Sequence, residues 1–358
     1  MSLLAEMARA EATVTHGRLN FVDKRCLDVG PFLVLQEMQR GMLPVYQGGQ
    51  ITKSVQSVLH FVGLRKPLGM NFPHKGGTSR LWPLPVRTRS GQNRTPTRLL
   101  AEQTSEHVAA EVIDKINEWL SVLAKLELNP NGERAILKFI GEALDNAERH
   151  SKPNSLEGAW SVAGFMSEIV SGGATNYRCH LALLSKGQTI YESISTGAEE
   201  TLREIGHYTR RHTGWLRRSS LTEENLATVY ALQDGVSRVE AAIRQGRGGT
   251  GFMDMFEFFA SLGGTNNPDW MPSMSIVSGR TCVRLKPPYL FGQRRSQPPG
   301  EDGLLPPREI WFNQANSPSA PPDTGHVLAL PAKLQGTLVT IAWTLDKEYL
   351  EQAAANRS

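Results

Sequence analysis

The sequence predicts an α/β protein, with a mixed sheet covered on one face by helices and a small α/β unit preceding it. Three observations carry that expectation. Helical spacing at about 99–124 and 133–150 gives way to strand-like runs at 157–168 and 177–184. A helix-rich, basic segment, 198–245, and a short helix, 252–262, then lead into strand-like runs at 272–278, 280–286 and 335–344. Before all of these, residues 17–70 alternate short apolar stretches ("LNFVD", "PFLVLQEM", "VQSVLHFVGL") with turn residues. Helices and strands interleaved in this order suit a two-layer sandwich.

A chain of 358 residues has room for two domains with cores of their own. The expected division is a small α/β domain at 1–95 and a larger one at 96–358. Between them "RLWPLPVRTRSGQNRTPTR", residues 80–98, is rich in Pro and Arg and reads as a linker or a surface strap. Residues 287–334 hold ten of the 21 prolines and read as a long irregular insertion.

Composition narrows the function classes. Apolar content of 40%, charged content of 21% and 7% aromatics belong to a globular protein. A net charge of +4 is too mild to argue for nucleic acid. Cys26, Cys179 and Cys282 are odd in number and widely spaced, as reduced thiols in a cytosolic protein are. No apolar run approaches the ~18 residues of a bilayer span. The start, "MSLLAEMARAEA", is acidic where a signal peptide is basic. The expected location is therefore cytoplasmic, with no membrane contact.

Two segments point to chemistry. In "FIGEALDNAERHS", residues 139–151, Glu142, Asn146 and Arg149 fall on one stripe of a helix, with Asp145 beside them. In "QGRGGTGF", residues 245–252, Gly246, Gly248, Gly249 and Gly251 occupy four of six positions just before an apolar helix. Such a loop lets backbone N–H groups approach an anion, and the helix beyond adds its positive end. No Gly-Lys-Ser/Thr follows, so this is not a Walker A loop.

Together the two segments resemble the GHKL (Bergerat-fold) ATPase superfamily, which includes histidine kinases, anti-sigma-factor kinases and gyrase-type ATPases. "EALDNAERH" is similar to the family's N-box, and the glycines are similar to its second glycine box. The resemblance covers about residues 100–286 and 335–345. It implies that Glu142 activates water and Asn146 binds Mg²⁺. It also implies that Asp145, Arg149, Gly246, Gly248, Gly249 and Gly251 line the nucleotide site. The family's first glycine box, DxGxG, corresponds to "SKGQT", residues 185–189. Ser185 stands at the acid that reads adenine, Gly187 keeps the first glycine, and Thr189 replaces the second. A serine hydroxyl is a shorter, uncharged acceptor, so adenine recognition would fall to Ser185 or to a nearby acid such as Asp234.

The physical reading of the stripe agrees with that likeness. An amide oxygen facing triphosphate oxygens can serve magnesium, a carboxylate one turn away can orient water, and a guanidinium can balance phosphate charge. The expected protein binds Mg·ATP, hydrolyses it slowly and uses binding as a conformational switch. Two alternatives stand beside it: a pseudo-ATPase sensor that controls a partner, and a protein kinase of the anti-sigma-factor sort. A separate protein partner or a homodimer is expected, with residues 1–95 similar in pattern to STAS-type regulatory folds. "HYTRRHTGWLRRSS", residues 207–220, could supply an Arg to phosphate, dock an acidic partner or nucleic acid, or form a solvated face.

Overall fold

The computed structural model describes residues 17–42, 46–70, 80–89, 104–150, 159–171, 174–213, 220–236, 251–262, 270–294 and 306–346. Its centre is a five-stranded sheet. The strands are β3 (Leu81–Arg89), β4 (Ala159–Ser171), β5 (Ala174–Lys186), β6 (Ser273–Leu285) and β9 (Val327–Asp346), in the order β3-β4-β5-β9-β6. Every neighbouring pair is antiparallel. The α/β class is as expected, but the expected mixed sheet is antiparallel throughout.

Side chains alternate along β5. Cys179, Leu181 and Leu183 enter one core, while Ala182 and Leu184 enter a second core on the opposite face. Helices therefore lie on both faces, not on one. The first face carries α3 (Ser105–Ala124), α4 (Pro130–His150) and α8 (Gly251–Ser261), through Val112, Ile140 and Phe256 among others. The second carries α1 (Gly30–Met42) and α2 (Lys53–Phe61), through Leu33, Val58 and Leu59. These two helices alternate with β1 (Gly17–Phe21) and β2 (Tyr46–Ile51), a parallel pair. The small α/β unit read at the N-terminus thus exists, and its core is shared with the sheet.

Two segments differ from expectation. Residues 81–89, within the expected linker, form edge strand β3, paired with β4 from Leu81↔Ser167 to Arg89↔Trp160. Pro83 and Pro85 are tolerated there because an edge strand pairs on one side only. In the proline-rich insertion, Ile310, Trp311 and Phe312 are buried in the first core. Asn313 fastens this stretch, its Nδ2 donating to the carbonyls of Ser317 and Ala320 at 2.9 and 3.0 Å. The insertion's last residues, from Val327, belong to β9 and pair with β6. Short elements complete the chain: α5 (Ile190–Ile194), α6 (Glu199–Thr213), α7 (Glu223–Ala231), and the two-residue strands β7 (Gln293–Arg294) and β8 (Arg308–Glu309).

The helix termini follow local chemistry. Thr104 caps α3 by accepting from the His107 N–H, and Lys125 closes it in the left-handed conformation with φ 54°. Asn129 precedes α4, its side chain accepting from the Gly132 N–H at 2.8 Å, and Pro130 takes the first helical position. No described helix is long and apolar enough to cross a membrane. All three cysteines are free and buried.

Asp28 holds the start of α1, accepting from the Gly30 N–H at 2.8 Å. Burial pushes its carboxyl up to about 6. The folded value lies above the unfolded one, so folding favours the protonated acid. That stabilisation is complete below about pH 4 and is lost as the pH rises through about 6. Asp28→Asn keeps a capping side chain without the charge. Thermal unfolding should show the variant more stable than wild type by about 2 kcal/mol at pH 7.5, and by much less at pH 4. Equal midpoints at pH 7.5 would contradict this account.

Candidate functional site

Helix α4 buries Ile136, Phe139, Ile140, Leu144 and Ala147, the three- and four-residue spacing of a single stripe. Lys138, Glu142 and Asn146 run along its flank at four-residue steps, and α8 packs against that flank. Phe139 and Phe258 stack there with ring centroids 4.9 Å apart. The first residue of α8 lies directly against this flank. A β-carbon placed on Gly251 would lie 2.8 Å from Glu142 Oε2 and 3.2 Å from Asn146 Nδ2. Only a residue without a side chain brings the start of α8 this near the carboxylate and the amide.

One turn further, the contact becomes ionic. Lys138 Nζ lies 3.0 Å from Asp254 Oδ2. Arg308 approaches the other Asp254 oxygen through Nη1 at 2.9 Å. The same guanidinium grips Asp234 with two hydrogen bonds, Nε to Oδ2 at 2.7 Å and Nη2 to Oδ1 at 3.0 Å, and reaches Glu257 at 2.8 Å. Its side chain is 7% exposed. Burial opposes the charge, but the hydrogen bonds that the guanidinium donates to Asp234, Glu257 and Asp254 outweigh it and raise its pKa. Sequence reading had offered Asp234 as a substitute adenine acceptor. Its carboxylate is instead committed to Arg308, both in the side chain and through the Arg308 backbone N–H at 2.9 Å.

The end of β5 forms the second part. Ser185 pairs with Trp160 on β4 and Thr337 on β9, and Thr337 pairs with Ser278 on β6. Directly paired residues share a face, and Trp160 lies in the first core, so Ser185 faces the side that α4 covers. The Trp160 indole N–H donates to Glu148 near the end of α4 at 3.0 Å, which fixes the helix over this row. Ser278 and Thr337 hydroxyls are 2.9 Å apart, and the Ile190 N–H donates to Ser278 at 2.8 Å. Gly187 adopts φ 123° and its carbonyl accepts from Gln335 at 2.8 Å. Thr189 caps α5 in a reciprocal pair with Glu192.

The structure therefore brings together Glu142, Asn146 and Gly251. It places Ser185 and Gly187 at a strand end tied to the same helix. Asp145 turns toward α3, accepting from the Ser105 hydroxyl at 3.4 Å. Gly246, Gly248 and Gly249 lie outside the described residues, as do the side chains of Arg149 and His150. Arg210 and Arg211 are exposed on α6, His212 is buried beside the Pro318 carbonyl at 3.0 Å, and Arg217 and Arg218 lie outside the described residues. Sequence reading missed Lys138, Asp254 and Arg308. The first two carried a signal, since Lys138 continues the flank by one turn and Asp254 lies in the first turn of α8; Arg308 sat unmarked among prolines.

Among the described residues no group of three or more His, Cys, Asp or Glu could hold a metal ion. An ion here would rest on Asn146, Glu142 and oxygens brought by a ligand. A cavity of about 140 Å³ elsewhere between α3, α4, α8 and the sheet is lined by apolar side chains such as Val112, Ile116 and Ile140, and offers no group for chemistry. Compared with known proteins, the chain matches no family model, no curated protein and no solved structure.

The contact at Gly251 generates a direct test. Gly251→Ala must displace the ends of the Glu142 and Asn146 side chains, and because these are flexible tips the change should cost no more than about 1 kcal/mol. The unfolding midpoint in urea should fall accordingly, with an unchanged slope. A loss above about 3 kcal/mol would contradict this account, because it would mean that the helix backbone and not a side-chain end has to move.

Proposed function

We propose that the protein binds Mg·ATP between α4, the start of α8 and the end of β5, and that it hydrolyses the nucleotide slowly. One observation carries this reading: the glycine that opens α8 abuts both Glu142 and Asn146. The N-terminus of an eleven-residue helix thus faces a carboxylate and an amide, a setting in which backbone N–H groups and the helix dipole favour phosphate. The family resemblance of the N-box and of the glycine box supports the same assignment.

In this reading Asn146 supplies an oxygen to the magnesium ion, which would offset negative charge on the phosphates. Glu142 accepts a proton from water, or orients it, as the water attacks the terminal phosphorus. The bond from that phosphorus to the bridging oxygen breaks, and ADP and phosphate leave. Ser185 receives the adenine amino group, directly or through a water, beside the Thr337 and Ser278 hydroxyls. A second reading, a nucleotide sensor without turnover, is favoured by one feature: the first glycine box has lost its acid and has given Thr189 to a helix cap.

Three variants separate these readings in calorimetric titration and phosphate release. Asn146→Ala should weaken Mg·ATP binding, whereas Glu142→Ala should keep binding and abolish release, because a base acts only in the transition state. Ser185→Asp should tighten ATP binding by roughly fivefold, the gain of ~1 kcal/mol from a charged acceptor. Binding without release in wild type selects the sensor. Flat titrations for wild type and Ser185→Asp, in folded protein with Mg²⁺ present, would reject both.

A further inference from the structure

Arg308 comes from the proline-rich insertion, far in sequence from every segment of the candidate site. Its guanidinium is nonetheless buried and joins three carboxylates: Asp234 just after α7, and Asp254 and Glu257 in the first two turns of α8. Lys138, one turn before Glu142 on α4, holds the remaining Asp254 oxygen. An unbroken chain of ion pairs thus runs from the insertion through α8 to the helix that carries Glu142 and Asn146.

We infer that Arg308 is a positioning residue for the phosphate end of the site: it fixes the first turn of α8, and with it Gly251, against Glu142 and Asn146. This rests on the nucleotide reading for the identity of the ligand, but not for the clamp itself. Two physical effects combine. A planar guanidinium can bridge several carboxylates in fixed directions, which an ammonium cannot. It also neutralises acids that would otherwise repel a triphosphate approaching the start of α8. Asp254 lies three residues beyond Gly251, so losing Arg308 leaves uncompensated negative charge beside the phosphate position.

The test uses the full chain with Arg308→Gln and Arg308→Lys, since the lysine variant keeps the charge if the glutamine variant folds poorly. Mg·ATP and adenosine affinities are measured by titration, and backbone exchange of α8 and of the sheet by hydrogen-exchange mass spectrometry. Arg308→Gln should weaken Mg·ATP on the order of 10-fold while leaving adenosine within about twofold, and Arg308→Lys should fall between. Exchange should accelerate in α8 but not in β5. Parallel loss of ATP and adenosine affinity would overturn the proposal in favour of general destabilisation. So would unchanged exchange in α8. If wild type binds neither ligand, the nucleotide reading fails by itself; faster exchange confined to α8 in Arg308→Gln then still supports the clamp, and unchanged exchange refutes it.

Discussion

Strand β5 is apolar toward both faces of the sheet, and the rest of the structure answers to that constraint. Cys179, Leu181 and Leu183 on one side, and Ala182 and Leu184 on the other, cannot be left in water. A two-layer sandwich would expose one set. The N-terminal residues supply the second cover with α1 and α2, and α3, α4 and α8 supply the first. Because α4 is trapped between sheet and α8, its polar flank has a fixed neighbour. That neighbour is the start of α8.

The strands and helices with clean periodicity were legible in the sequence, and α4 was most legible, since its apolar stripe and its polar flank are separable by spacing alone. What stayed hidden had local signals that pointed elsewhere. Pro83 and Pro85 made β3 look like a strap, because proline argues against a strand until the strand is known to lie at an edge. The continuous apolar run in β5 was visible, yet a single sequence does not say which elements cover each face. In the insertion, prolines masked the Ile310-Trp311-Phe312 triplet, which is buried in the first core.

The side chains of "SKGQT", residues 185–189, answer to local neighbours. Glycine at position 189 would have no side chain for the reciprocal bond that Thr189 makes with Glu192, and Glu192 is further held by Lys333. Ser185, half-buried, lies in a row of hydroxyls with Thr337 and Ser278. In such a row a hydroxyl both donates to and accepts from its neighbours, whereas a carboxylate only accepts. Both residues are thus fixed by their neighbours, which the five-residue segment alone does not convey.

Charge balance around α8 leads one step further. Among the described residues there, Glu142, Asp234, Asp254 and Glu257 face Lys138 and Arg308, so the carboxylates outnumber the cations. A bare triphosphate would enter against that excess, and the helix N-terminus alone offers only about half a charge in compensation. A nucleotide carrying a divalent cation brings its own compensation. On the proposed nucleotide reading Asn146, neutral and with a single carbonyl oxygen to offer, would suit an ion delivered with its ligand. The same balance explains why Arg308 is held so firmly: with Lys138 it is one of two described cations paired to these carboxylates, and three of the acids converge on its guanidinium.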